Sequence, residues 1–354
     1  MIGKPFLVIS RPGFADELAA ELKARWRLDA EVPDKYSVLL PESSKLPALV
    51  DTVFARQVLP RVLSLSGMTP AEASSAIAAH LEKLSKRANR QSGRWTLHVF
   101  AADDNEAGKF AAKLAKPILK AVTSRIGAFA KRYVDPETIS AEPQQSDVIV
   151  QVFVTSSLVI WVSVASLAAG ISPHPGGNLR MRDVKGAPSR SARKLEEAFV
   201  VMGRSPVAGE TAVDLGAAPG GWSLCLAKRG AAVIAVDHAE LDLKGAGKLT
   251  GSITHLRDNG LKYLPEKKVT WLCCDMVLPA SETLRVLKKW LQADLMTAFV
   301  VNVKLPRQRS WAQVESALQL LQPFEASWAL LKARHLYHDR HEITLMGIKR
   351  IPQG

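Results

Sequence analysis

Cysteine is nearly absent: Cys225, Cys273 and Cys274 are the only three in 354 residues, and no C-x-x-C pair occurs. An odd count, with two members adjacent inside an apolar run, argues against a disulfide framework or a zinc site and for a reducing compartment. Acidic residues are also short, 34 Asp plus Glu against 47 Lys plus Arg, for a formal net charge of +13. That imbalance suggests a polyanionic partner, with nucleic acid ahead of a membrane surface. Charge that serves only solubility is the plainer alternative. The stretch Met1 to Phe6 has no apolar region long enough for a removable signal, so the expected location is cytosolic. Neither an internal repeat nor a low-complexity tract is present. Hydrophobic residues at 47% and charged residues at 23% are ordinary globular values, and the length suits two or three domains.

Charge is missing altogether from Val148 to Asn178, and Val148 to Gly170 is apolar enough to raise the question of a membrane span. β-Branched residues, an interruption at Thr155-Ser156-Ser157 and Asp147 at one flank favour two buried strands joined by a turn. No membrane association is expected.

Upstream, Phe6 to Ile9 reads as a strand, a helical pattern runs through Leu18 and Leu22, and a second strand lies near Tyr36 to Leu40. Trp95 to Ala101 is another strand. Asp103 with Glu106 resembles a capping box opening one long helix, whose core stripe is Phe110, Leu114, Ile118, Val122 and Ile126. Lys109, Lys113, Lys116 and Lys120 would share one face of that helix, with Pro117 as a point of kinking. From Lys83 to Arg132 there are twelve basic and three acidic residues. A Pro/Gly-rich basic stretch follows Gly170, with Arg180, Arg182, Lys185, Arg190, Arg193 and Lys194 opposed only by Asp183, and reads as a linker. Beyond it, strands at 211–215, 233–236, 269–274, 298–303 and 343–348 alternate with helical patterns. The fold class is therefore α/β, a doubly wound, mostly parallel sheet.

The string Asp214-Leu-Gly-Ala-Ala-Pro-Gly-Gly-Trp222 turns from a buried strand into a helix. Gly216, Gly220 and Gly221 permit close backbone approach at the carboxyl end of a strand, where open α/β sheets bind nucleotides. Its G-x-x-x-G-G spacing is neither a dinucleotide fingerprint nor a phosphate-gripping Walker loop. Asp237, ending the next strand, suits a ribose with free hydroxyls.

This string resembles the S-adenosylmethionine loop of the ribosomal-RNA 2′-O-methyltransferases of the FtsJ type. Besides the loop, strings that resemble those of the same family are, in order along the chain, Phe54-Ala-Arg-Gln57, Pro188-Ser-Arg-Ser191 with Lys194-Leu-Glu-Glu-Ala-Phe199, Cys274-Asp-Met276, Lys304-Leu-Pro306 and Leu336-Tyr-His-Asp-Arg340. The chain departs from the family pattern at Ala218, often Cys there, and at His238-Ala-Glu240, where Asn-Gly-Pro is usual. The resemblance implies a Rossmann-like methyltransferase domain over 187–354, a linker over 166–186, a THUMP RNA-binding domain over 77–165 and a ferredoxin-like unit over 1–76. It implies S-adenosylmethionine as cofactor, S-adenosylhomocysteine as product, and a cytidine ribose in naked or precursor large-subunit rRNA as substrate. A monomer is expected with it, and neither DNA nor metal.

The catalytic set implied by the resemblance is Lys194, Asp275, Lys304 and Glu342. Removing a ribose hydroxyl proton calls for a positioned base. Lys304, at the end of the Phe299-Val-Val-Asn-Val303 strand, is expected to accept the proton, with Lys194 depressing its pKa and Asp275 and Glu342 aiming the two ammonium groups. Cofactor contacts are expected from Ser191, Asp214, Gly216, Ala218, Pro219, Gly220, Gly221, Trp222, Asp237, Asp258 and Asp275. RNA contacts are expected from Lys109, Lys113, Lys116, Lys120, Arg180, Arg182 and Arg190. Two other readings stay open: a base methyltransferase, whose C5 chemistry would need a cysteine nucleophile such as Cys274, and an RNA-binding assembly factor that has lost catalysis.

Overall fold

The computed structural model describes residues 5–41, 51–87, 93–127, 131–307 and 310–350; Arg90, counted in the basic segment above, lies outside them. The chain divides into two compact units, Met1–Asn178 and Leu179–Gly354, a boundary inside the stretch read as a linker.

In the first unit, β1 (Phe6–Ile9) pairs antiparallel with β3 (Ser37–Leu40) and β4 (Gln57–Leu59), and β2 (Glu31–Asp34) edges β3. The amphipathic helix α1 (Ala15–Trp26) buries Leu18 and Leu22. A second sheet runs in the order β5 (Leu63–Leu65), β8 (Ile160–Ser166), β7 (Val148–Val154), β6 (Trp95–Ala101). The uncharged stretch thus forms an antiparallel strand pair, Val148 opposite Ser166, and no helix among the described residues is long and apolar enough to cross a membrane. Helix α2 (Pro70–Arg87) runs across residue 76, and its Ala73, Ile77 and Leu81 pack in the core of this second sheet.

The expected long helix is two. Helix α3 (Asn105–Ala112) is capped by Asp104 rather than Asp103: its carboxylate accepts from the amides of Glu106 and Ala107 at 2.9 and 3.0 Å. Helix α4 (Ala115–Arg125) begins after a break at Lys113, four residues before Pro117. A proline has no N–H for the carbonyl four residues back and its ring collides with that carbonyl, so the break falls where the chemistry puts it. Leu114, Ile118 and Val122 still reach full burial. At about 1.5–3 kcal/mol each, their burial outweighs the ~1 kcal/mol of one lost backbone hydrogen bond. The four lysines therefore do not lie on one helix face. All four are exposed.

The second unit is a seven-stranded sheet in the order β11 (Ser252–Leu256), β10 (Ala232–Val236), β9 (Thr211–Leu215), β12 (Val269–Cys274), β13 (Met296–Lys304), β15 (Glu342–Lys349), β14 (Trp328–Arg334). The first five strands are parallel, and β15 runs against them, pairing antiparallel with both β13 and β14, as in a doubly wound sheet with antiparallel pairing at one edge. Helices α6 (Ala192–Met202), α7 (Gly221–Lys228), α8 (Ala280–Gln292) and α9 (Trp311–Leu321) pack about it, and the short α5 (Pro136–Ala141) belongs to the first unit. Phe199, Trp222 and Trp271 anchor the core between α6, α7 and the sheet.

Candidate active site

Sheet register assembles the charged set. Lys304 ends β13 and stands directly opposite Glu342, the first residue of β15. Asp275 follows β12, the parallel neighbour of β13, and Lys194 comes in from the first turn of α6. Glu342 Oε1 accepts from Lys194 Nζ at 2.5 Å and its Oε2 from Lys304 Nζ at 2.5 Å. Asp275 Oδ1 accepts from Lys304 Nζ at 2.8 Å, and its Oδ2 lies 3.4 Å from Lys194 Nζ. The four side chains form a closed ring of alternating charge.

Such a ring is costly to desolvate, and replacing it with apolar packing would often stabilise a fold, so stability alone does not account for it. Lys304 is the most open member, its side chain 22% exposed against 13% for Lys194, 15% for Asp275 and 6% for Glu342. Burial acts to lower the Lys304 pKa, but Asp275 and Glu342 beside the ammonium outweigh it and hold the pKa above the ordinary lysine value. This corrects the expectation that Lys194 depresses it: the two carboxylates stand between the two lysines. Glu342 would be pushed up by burial, yet Lys194 and Lys304 hold its carboxyl down at about 2.

The glycine loop adjoins the ring. Gly216 follows β9 with φ 75°, and a Cβ there would stand 2.4 Å from Cγ of Met276, the neighbour of Asp275. Gly220, at φ 112°, caps α7 in the left-handed region that only glycine adopts readily. Ala218 N donates to Asp237 Oδ2 at 3.0 Å, Ala239 N donates to Oδ1 at 2.9 Å, and Pro219 O accepts from Asp242 N at 2.8 Å. A Cβ on Gly221 would meet Ser189 Oγ at 2.5 Å, and that hydroxyl lies 2.7 Å from Ser191 Oγ. Gly216 to Gly221, Asp237, Ser191 and Asp275 therefore share one rim. Asp258 lies beyond β11 and is exposed, with Asn259 N donating to it at 2.6 Å.

Two expected cofactor contacts are placed otherwise. Asp214 is 1% exposed and accepts from Ser223 Oγ at 2.6 Å, pinning the start of α7 to the end of β9. Burial pushes its carboxyl up to about 7, with Ser223 pulling the other way. Trp222 is 3% exposed: its ring is core, and its indole N–H donates to Ser191 O at 3.0 Å. A large apolar ring opening a helix under a sheet is buried before it is offered to a ligand.

Arg180, Arg182 and Arg190 are exposed, the Arg180 guanidinium 5.9 Å above the Tyr337 ring. All three cysteines are buried, and burial pushes the Cys274 thiol up to about 12 and those of Cys225 and Cys273 higher than usual. The reactive species of a C5 methyltransferase is a thiolate, which these surroundings disfavour.

Residues 187–311 match the family model described as FtsJ-like methyltransferase. Over 361 residues the chain is 32% identical to the Ribosomal RNA large subunit methyltransferase M of Alkalilimnicola ehrlichii, covering 97% of this chain and 94% of that one. The same-named protein of Haemophilus influenzae is 33% identical over 366 residues, 95% and 96% of the two chains. That of Xanthomonas oryzae pv. oryzae is 31% identical over 360 residues, 97% and 99%. The chain belongs to the ribosomal RNA large subunit methyltransferase M family.

Several residues at the site are absent from the set expected from the sequence. Asn302 donates to Asp275 Oδ1 at 3.0 Å, Thr344 bridges Asn302 and Asp339, and Glu197 receives the amides of Tyr337 and His338 at 2.7 and 2.9 Å. A signal existed for the first: Asn302 is the one polar side chain within Phe299 to Val303, and a buried polar group inside a central strand needs a partner.

Proposed function

We propose that the protein transfers a methyl group from S-adenosylmethionine to the ribose 2′-hydroxyl of a cytidine in large-subunit rRNA, with Lys304 as proton acceptor. The observation that carries this reading is the Lys194–Glu342–Lys304–Asp275 ring beside the glycine loop. The cytidine rests on the family resemblance alone, as do naked or precursor rRNA as the substrate form and a monomeric state; a cytoplasmic location rests on the scarce cysteines and on the Met1 to Phe6 stretch.

The rim residues fit the cofactor. Asp237 is half-buried, and its carboxylate has spare lone pairs beyond the two loop amides it receives, as two ribose hydroxyls would require. The loop backbone and Ser191, with Asp258 at the far end, would hold the rest. When bound, S-adenosylmethionine supplies an electrophilic methyl on a sulfonium and leaves as S-adenosylhomocysteine.

The ring explains how a lysine can serve as base. Lys304 Nζ spends two of its three N–H donors on Asp275 and Glu342. Loss of the third proton leaves both contacts intact and turns the lone pair outward, toward an attacking hydroxyl. The two carboxylates hold that lone pair in line while Lys194, paired with the same carboxylates, keeps the ring's charge balanced. Dependence on a 2′-hydroxyl selects RNA over DNA. Lys109, Lys113, Lys116, Lys120, Arg180, Arg182 and Arg190 are the proposed backbone contacts.

Lys304→Ala is expected to reduce transfer from labelled S-adenosylmethionine into rRNA by about a hundred- to ten-thousand-fold. Cofactor binding by calorimetry should persist in that variant. Wild-type turnover by Lys304→Ala would end the assignment.

A further inference from the structure

Behind the charged ring lies a second layer of polar side chains that the proton transfer itself does not touch. Asn302, Thr344 and Asp339 are each 0% exposed. Asn302 Nδ2 donates to Asp275 Oδ1 at 3.0 Å, and its Oδ1 is 2.8 Å from Thr344 Oγ1. The same Thr344 oxygen lies 3.0 Å from Asp339 Oδ2 and 3.3 Å from Asp339 Oδ1.

Counting protons fixes the state of Asp339. An ionised Asp275 can only accept, so the Asn302 amide must present its NH₂ to it and its oxygen to Thr344. That amide oxygen can only accept as well, which commits the single Thr344 hydroxyl proton to Asn302. Thr344 is left with lone pairs alone to face Asp339. Two buried acceptors at this separation repel unless one carries a proton, so Asp339 must donate. Leu336 N also donates to Asp339 Oδ2 at 2.9 Å, and a protonated carboxyl keeps the acceptor capacity for that amide beside its one O–H donor. The charged surroundings agree: burial first, then Glu342, push the Asp339 carboxyl up, Lys194 and the Leu336 amide pull it down, Glu197 adds a smaller upward push, and the upward causes win.

We propose that Asp339 is a positioning residue of the methyl-transfer site, held protonated so that its O–H orients Thr344 toward Asn302 and, through the Asn302 amide, fixes the Asp275 carboxylate at Lys304. A neutral Asp339 also keeps a third negative charge away from Glu342. The kinetic consequence rests on the reading of Lys304 as base; the protonation does not.

Asp339→Asn is the decisive variant, because an amide offers the same shape with a donor for Thr344 and an acceptor for Leu336 N. Its kcat is expected within about threefold of wild type, with unchanged KM values for cofactor and RNA. Thr344→Val removes the link and should lower kcat about tenfold or more at nearly constant KM, and Thr344→Ser should restore it. Infrared difference spectra between wild type and Asp339→Asn at neutral pH should contain the carbonyl stretch of a protonated carboxylic acid, lost in the variant. A missing band, or an Asp339→Asn enzyme crippled as badly as one lacking Lys304, would overturn the proposal. The infrared result stands whether or not the wild type methylates RNA, so its failure is distinct from failure of the functional reading.

Discussion

Lys304 carries two opposing influences, and their balance sets the pH behaviour of the reaction. Burial lowers its pKa, while Asp275 and Glu342 raise it further, so the resting side chain is an ammonium held above its ordinary 10.5. For a raised pKa the base form is gained only as pH climbs. Turnover is therefore expected to increase steadily with pH through the neutral range and to level off only in the alkaline region. Glu342→Gln removes one of the raising charges and should move that rise about one pH unit or more toward neutral, even though peak activity falls. A wild-type profile already flat between about pH 6 and 9 would contradict this, since no proton would then be leaving a group of that kind. The identities of the four charged residues were legible through the family strings in the sequence. Their pairing was not: Lys194 and Glu342 are far apart in the chain, and which charge lies between which depends on the β13–β15 register. Asp339 was quoted only as part of a motif, because nothing local in Leu336-Tyr-His-Asp-Arg340 tells that its carboxyl is fully buried.

At the scale of elements, the glycine loop is the part of the site whose geometry is least replaceable. Gly216 combines φ 75° with a Cβ position 2.4 Å from Met276 Cγ and 3.2 Å from Met276 Cα. Gly216→Ala should destabilise the protein by about 1–3 kcal/mol, since the backbone is strained and Met276 must move. It should also weaken cofactor binding, because Met276 carries Asp275 with it. Thermal unfolding together with calorimetric titration of S-adenosylmethionine checks both, and an unchanged melting temperature with unchanged affinity would refute the packing argument. Strands β9, β10, β12, β13 and β15 were legible as apolar runs because both of their faces are covered. β11 and β14 were not: the first is an edge strand with alternating exposed residues, and the second, Trp328-Ala-Leu-Leu-Lys-Ala-Arg334, has the composition of a helix and is a strand only because β15 pairs with it. The helix break at Lys113 was foreshadowed by Pro117, but its place four residues upstream required the geometry of the clash.

For the whole molecule, the question is what the excess of 13 positive charges does. Lys113 and Lys116 are exposed on the break and first turn of adjoining helices in the first unit, whereas the half-buried ion pairs belong to the second. Charge reversal at both should weaken binding to large-subunit rRNA and lower the slope of log affinity against log salt by about 1.5, on a loss of 0.7–0.9 per phosphate contact. Filter binding across a salt series reads this directly. Unchanged affinity and slope would assign the lysines to solubility. The α/β class was legible from composition and strand alternation, whereas the course of α2 through residue 76 was not. The most direct test of the account is nucleoside mapping of large-subunit rRNA from cells lacking the protein, complemented with wild type or with Lys304→Ala. The account predicts one missing cytidine 2′-O-methyl, restored by wild type and not by the variant. A missing base methyl instead, or full restoration by Lys304→Ala, would contradict it.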